Sequence, residues 1–275
     1  MTTTSSLVFS GIAPHPPIMV PEVGQEATVE VRNSIDAMAE FTKRVVASGA
    51  ETIVLISPHA PLQAHSFVTY PGPELRGDFS NFRAPETQLT VSLDEVLLAA
   101  ISSSAATKNL AVITTPENKL DHGTTVPLYF LLRNGWKGQA IVFGYSFLSN
   151  EDHLSFGSSI QKAIDETGRR VAFIASGDLS HRLKPQAPAG YNPTAYLFDE
   201  EIVDALRCGE PNRIVEIDQD LRKLAGECGY RSMLVAIGAS RALPWSCEVI
   251  SYEAPFGVGY LVAQLTNKRG VAERH

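Results

Sequence analysis

The chain has 275 residues, 44% of them hydrophobic, and a formal net charge of -7. That content suffices for one large α/β domain, and no linker or internal repeat divides it, so a single domain over 1–275 is expected. The 23 basic residues form no stripe, which excludes a nucleic-acid surface, and no apolar run approaches the roughly 20 residues of a membrane span.

Continuous apolar runs at 6–12, 52–57, 110–114, 139–145 and 170–176 read as strands buried on both faces. The first helical pattern spans 26–48, where Ile35, Met38, Thr42, Val45 and Val46 mark one stripe and Gly49 is placed to stop it. Segments 65–70 and 87–92 are expected to pair as a small hairpin. Further helices follow at 93–105, 124–134 and 151–167, so strands and helices alternate. That alternation implies a mostly parallel central sheet flanked by helices. The second half adds helices near 194–208, 210–225 and 229–241. SCEVISYEAPFGVGYLVAQL then reads as two strands about a turn at Ala254–Gly257, an antiparallel hairpin at a sheet edge.

Cys208, Cys228 and Cys247 form no even framework, and MTTTSSLVFSG lacks the pattern of a secretory signal. A reduced, cytoplasmic setting is expected.

Of seven histidines, His275 is terminal, and His65 and His153 are expected at the surface. His15 and His59 each follow a strand and stand between prolines that fix the backbone, in APHPP and SPHAP. His181 follows the strand at 170–176, and His122 follows that at 110–114 after a loop. Ligands of open α/β sheets bind outside the carboxyl ends of the strands, so the four imidazoles point to one crevice. Neutral imidazole is the commonest metal ligand. Two histidines with a carboxylate suit non-haem Fe(II), and a similar set with one water suits a zinc hydrolase. A serine hydrolase is disfavoured: ASGDL lacks the first glycine of a nucleophile elbow.

APHPP (13–17), SPHAP (57–61), LDHGTTVPLYFLL (120–132), SGDLSHRL (176–183) and GECGYRSM (226–233) together resemble the class III extradiol ring-cleavage dioxygenases. That superfamily includes the catalytic subunit of protocatechuate 4,5-dioxygenase and the Memo-like proteins. The resemblance implies iron ligation by His15 and His59, acid–base work by His181, and a pocket contact to substrate or oxygen from His122. It implies Glu227 as the third ligand, although Glu227 lies four residues before Arg231 and ring-cleaving relatives place their glutamate closer. Memo-like relatives have a cysteine followed by glycine there, which points to Cys228. Glu253 is a further candidate.

The implied activity is Fe(2+)-dependent extradiol opening of a catechol-like or 2-aminophenol-like ring with O2. Asp121 and Asp178 are read either as partners that fix histidine tautomers or as capping aspartates. Arg76, Arg83, Arg182 and Lys184 lie on loops that could meet an anionic ring substituent. A homodimer or a small accessory subunit is the expected assembly. The alternatives are a Memo-like metal-binding protein without ring cleavage and a zinc-dependent hydrolase.

Overall fold

The structure is a computed structural model that describes residues 6–267. The elements run β1 (Leu7–Ala13), α1 (Pro21–Gly24), α2 (Arg32–Ala47), β2 (Thr52–Ser57), β3 (Ser66–Thr69), β4 (Glu74–Phe79), β5 (Ala84–Ser92) and α3 (Glu95–Ala106). Then follow β6 (Ala111–Thr114), α4 (His122–Arg133), β7 (Gln139–Gly144), α5 (Asn150–Thr167) and β8 (Val171–Ser176). The chain ends in α6 (Tyr196–Arg207), α7 (Gln219–Ala225), α8 (Tyr230–Ser240), β9 (Glu248–Glu253) and β10 (Tyr260–Asn267).

Eight strands form one sheet in the order β6-β3-β7-β2-β8-β1-β10-β9. The block β7-β2-β8-β1 is parallel throughout, as its continuous apolar runs predict. Every residue of β1, β2 and β8 is buried. Helices α2 and α4 pack against each other and the sheet, and α3, α5 and α8 form a second group. The expected closing hairpin is present: β10 pairs antiparallel with β1 and with β9.

Four expectations need correction. The run at 110–114, expected to be buried on both faces, forms β6 at the sheet edge, where its residues are mostly exposed. Segment 65–70 does not pair with 87–92. β3 instead joins the main sheet between β6 and β7, while β5 pairs with β4 in a separate two-stranded sheet. The apolar run Ser66–Thr69 is buried almost throughout and belongs in the core, whereas β5 alternates buried and exposed residues. The pattern at 26–48 divides into a 3-10 stretch, Gln25–Val31, and α2, whose end is followed by Gly49 at φ 72°. Segment 210–225 likewise divides: Pro211–Glu216 is 3-10, and Asp218 caps α7 through the amides of Asp220 and Leu221.

No helix among the described residues is long and apolar enough to cross a membrane.

Candidate metal centre

The parallel block places the carboxyl ends of four strands side by side, and β1, β2 and β8 deliver His15, His59 and the segment carrying His181. His122 arrives differently. β6 is parallel to β3, which runs antiparallel to β7, so β6 opposes the central block and does not aim His122 at the crevice. His122 instead opens α4, whose N-cap Asp121 is tied to the end of β2: Ser57 Oγ donates to Asp121 Oδ1 at 2.6 Å. The same carboxylate accepts from the Thr124 amide at 3.1 Å and the Tyr70 hydroxyl at 3.0 Å. Asp121 is thus the capping aspartate of the two readings.

Three imidazoles meet in the crevice. His59 and His122 stack at 4.2 Å between ring centroids, and His15 stands edge-on to both at 4.8 and 5.4 Å. Phe82, at the tip of the β4–β5 hairpin, packs 5.5 Å from His122 and walls the site. The Nε2 atoms of His15 and His59 lie 3.1 Å apart, and Cys228 Sγ is 3.8 Å from His15 Nε2. One ligand atom from each of His15, His59 and Cys228 falls within 4.8 Å of the other two.

Hydrogen bonds define the tautomers. Ser176 Oγ donates its only proton to the Gly123 carbonyl at 2.5 Å, so toward His15 Nδ1, 2.9 Å away, it can only accept. His15 therefore carries its proton on Nδ1 and presents the Nε2 lone pair to the cluster. His181 Nδ1 lies 3.0 Å from the Leu179 carbonyl, which only accepts, so Nε2 is its basic atom. Asp178 holds the His15 backbone, accepting its amide at 3.0 Å, and its own amide donates to Cys228 Sγ at 3.3 Å.

Cys228 reaches the pair because two backbones nearly touch. A Cβ on Gly177 would lie 2.1 Å from Gly229 Cα, so only glycine lets the start of α8 close on the loop after β8. The same helix start turns Glu227 to other use. Its Oε2 accepts the Tyr230 amide at 2.7 Å, serving α8 as a cap, and the carboxylate is not in the cluster. Glu253 is also spent elsewhere: Oε1 accepts the Ser34 amide and hydroxyl at 2.8 and 2.6 Å, joining β9 to α2.

Burial sets the charge state. It pushes His15 well below the usual imidazole range, helped by repulsion from His59, His122 and His181. His59 falls to about 4 through burial and then His122, and burial also lowers His122 and His181. All four are neutral at pH 7, the form that binds metals. Burial, then the neighbouring Asp178, pushes the Cys228 thiol well up, and burial raises Asp178 to about 7. The donors fit a metal ion: two neutral imidazoles and a thiol that a cation would convert to thiolate.

Two residues near the crevice were not foreseen as site residues. Tyr145 follows directly on β7, and Arg231 is the second residue of α8; a tyrosine at a parallel strand's carboxyl end was the available signal. His153, expected at the surface, is fully buried. The Ser149–Asp152 capping box starts α5 so that His153 turns inward, where Nδ1 donates to the Ser149 carbonyl at 2.7 Å and the ring meets Phe67. His65 is exposed, as expected.

Comparison with known proteins agrees with this architecture. The chain is 34% identical over 264 residues to Protein CA_C1420 of Clostridium acetobutylicum, covering 92% of this chain and 56% of that protein, so it spans about half the relative's length. Among solved structures it resembles the uncharacterized protein JW3007 of Escherichia coli K12, with a TM-score of 0.64 at 14% identity, covering 94% of this chain and 100% of that one. Residues 11–263 match the family described as the catalytic LigB subunit of aromatic ring-opening dioxygenase, and the chain belongs to that family.

Proposed function

We propose that this chain is a metal-dependent oxidoreductase that uses O2 to open a catechol-like or 2-aminophenol-like ring by the extradiol route. His15, His59 and Cys228 would hold the metal, which replaces the set with Glu227 that the sequence suggests. The observation that carries the reading is the gathering of neutral histidines and a thiol at the carboxyl ends of the parallel block. When bound, the metal supplies Lewis acidity toward the phenolic oxygens and redox chemistry toward O2.

The protein's own groups supply the rest. His181 is neutral with its proton on Nδ1, so Nε2 can take a phenolic proton and later return it. His122, stacked on His59 and backed by Phe82, orients the ring between substrate and ligands. Ser176 keeps His15 in the ligating tautomer. The hairpin bearing Phe82 limits water at the crevice.

One observation favours a second reading. A thiolate draws copper(I) and zinc more than a carboxylate does, which suits a metal-binding protein without ring cleavage. Anaerobic loading with Fe(II), followed by a panel of catechols and 2-aminophenols, separates the two. The proposal expects oxygen uptake matched by a yellow ring-opened product. Bound iron with no uptake from any member of the panel would leave the second reading standing.

A further inference from the structure

We propose that Asp199 is a positioning residue for His181 and acts on it through a single peptide unit, that of Leu179–Ser180; this rests on the reading of His181 as the group that moves a substrate proton. The two ends of that unit have separate partners. Its N–H, on Ser180, donates to Asp199 Oδ1 at 2.9 Å. Its C=O, on Leu179, accepts from His181 Nδ1 at 3.0 Å. A trans peptide is planar and points its N–H and C=O in opposite directions. The carboxylate on one side and the imidazole on the other are therefore joined in one chain of hydrogen bonds. A carboxylate that orients an imidazole commonly bonds Nδ1–H directly. Here a backbone amide stands between them.

The carboxylate is built into place. Asp199 lies on α6 and is 1% exposed. Its second oxygen accepts the Tyr252 hydroxyl of β9 at 2.8 Å. A Cβ on Gly259 would lie 2.0 Å from Asp199 Oδ2, so a glycine there lets the carboxylate reach the loop after β8. The flanking backbone is held independently of Asp199. Leu179 N donates to the Gly259 carbonyl at 2.8 Å, Gly259 N to the Ser180 carbonyl at 2.8 Å, and His181 N to the Ala225 carbonyl at 3.0 Å. With the place fixed by those bonds, the Asp199 bond adds polarisation. A charged acceptor draws the Ser180 proton, enriches the Leu179 oxygen and strengthens its hold on Nδ1–H, and the effect is larger out of water. The consequence is an imidazole kept with its proton on Nδ1 and with a more basic Nε2.

The test is NMR of the nitrogen-labelled histidines in the chain loaded with zinc(II), a diamagnetic probe. It is run above the value of about 7 to which burial raises Asp199, so that the carboxylate is ionised. His181 is assigned by its absence from His181→Asn. Wild type should show His181 protonated on Nδ1. Asp199→Asn keeps an acceptor for Ser180 and loses the charge, so the Nδ1 proton should move upfield at unchanged zinc content. A residue that only props the loop would leave that proton in place. An Nδ1 proton that does not move, a wild-type His181 protonated on Nε2, or loss of zinc in Asp199→Asn overturns the assignment. With iron and a responsive catechol, kcat for oxygen uptake should fall about five- to tenfold in Asp199→Asn with KM little changed, the scale that separates a charged from a neutral acceptor. The resonance is read without substrate or oxygen, so absence of uptake in wild type counts against ring cleavage alone. Uptake at an unchanged kcat in Asp199→Asn counts against the role of Asp199 alone.

Discussion

The loop after β8 and the β4–β5 hairpin both border the crevice, yet they are built by opposite means. Between residues 176 and 181 nearly every polar atom is buried and has a fixed partner: Ser176 with His15 and Gly123, Asp178 with the His15 amide, Ser180 N with Asp199. The hairpin holds its charges in part-exposed pairs, Arg76 with Glu74 and Lys119 with Asp78. Buried partners cannot be exchanged for water, so the first region has one arrangement, whereas the second can lose a pair at little cost. A metal site needs the first kind of support.

The sharpest way to break this contrast is steric. Gly177→Ala places a methyl group against backbone, which cannot move aside as a side chain can. Loss of about 1–3 kcal/mol or more is expected from overpacking, with loss of metal binding because Cys228 is pushed from His15. Urea unfolding and metal analysis of the variant check both parts.

Asp199 gives an effect of similar size that depends on pH. Its carboxyl is buried, accepts the Ser180 amide at 2.9 Å and the Tyr252 hydroxyl at 2.8 Å, and is raised to about 7 by that burial. The folded state thus holds this proton more tightly than the unfolded chain. The resulting stability is complete below the ordinary carboxylate pKa and is lost as pH rises through about 7. One pKa unit is worth about 1.4 kcal/mol, so the loss is on the order of a few kcal/mol. Asp199→Asn removes the ionisation while keeping an acceptor for Ser180. Thermal unfolding between pH 4 and pH 8, values spanning about the two pKa limits, should fall less steeply in the variant than in wild type. Parallel curves would contradict the account.

The smallest effect lies in the hairpin. Lys119→Met breaks the 2.7 Å pair with Asp78, both partners part-exposed, and should cost no more than about 1 kcal/mol and leave metal content unchanged. A large loss there would erase the distinction between the two regions.

The legible parts of the sequence were those where local pattern and burial agree. The runs that form β1, β2 and β8 are mostly apolar and buried throughout, and prolines beside His15 and His59 mark where the first two strands stop. The pairing of β3 is not legible, because two short β-like segments say nothing of which partner lies closer in space. The burial of His153 is not legible locally, because its direction depends on where α5 is capped. The choice between Glu227 and Cys228 was beyond local reading for a further reason. Adjacent residues at a helix entrance face different ways, and the one facing the histidines is set by a contact between Gly177 and Gly229, distant in sequence.

The central claim is that the thiol of Cys228, not the carboxylate of Glu227, joins His15 and His59 at the metal. Loading with cobalt(II) tests it most directly, since a bound thiolate gives a sulfur-to-cobalt charge-transfer band in the near ultraviolet. The band should appear in wild type, persist in Glu227→Gln and vanish in Cys228→Ala. A band absent from wild type, or cobalt binding lost in Glu227→Gln and kept in Cys228→Ala, would contradict it.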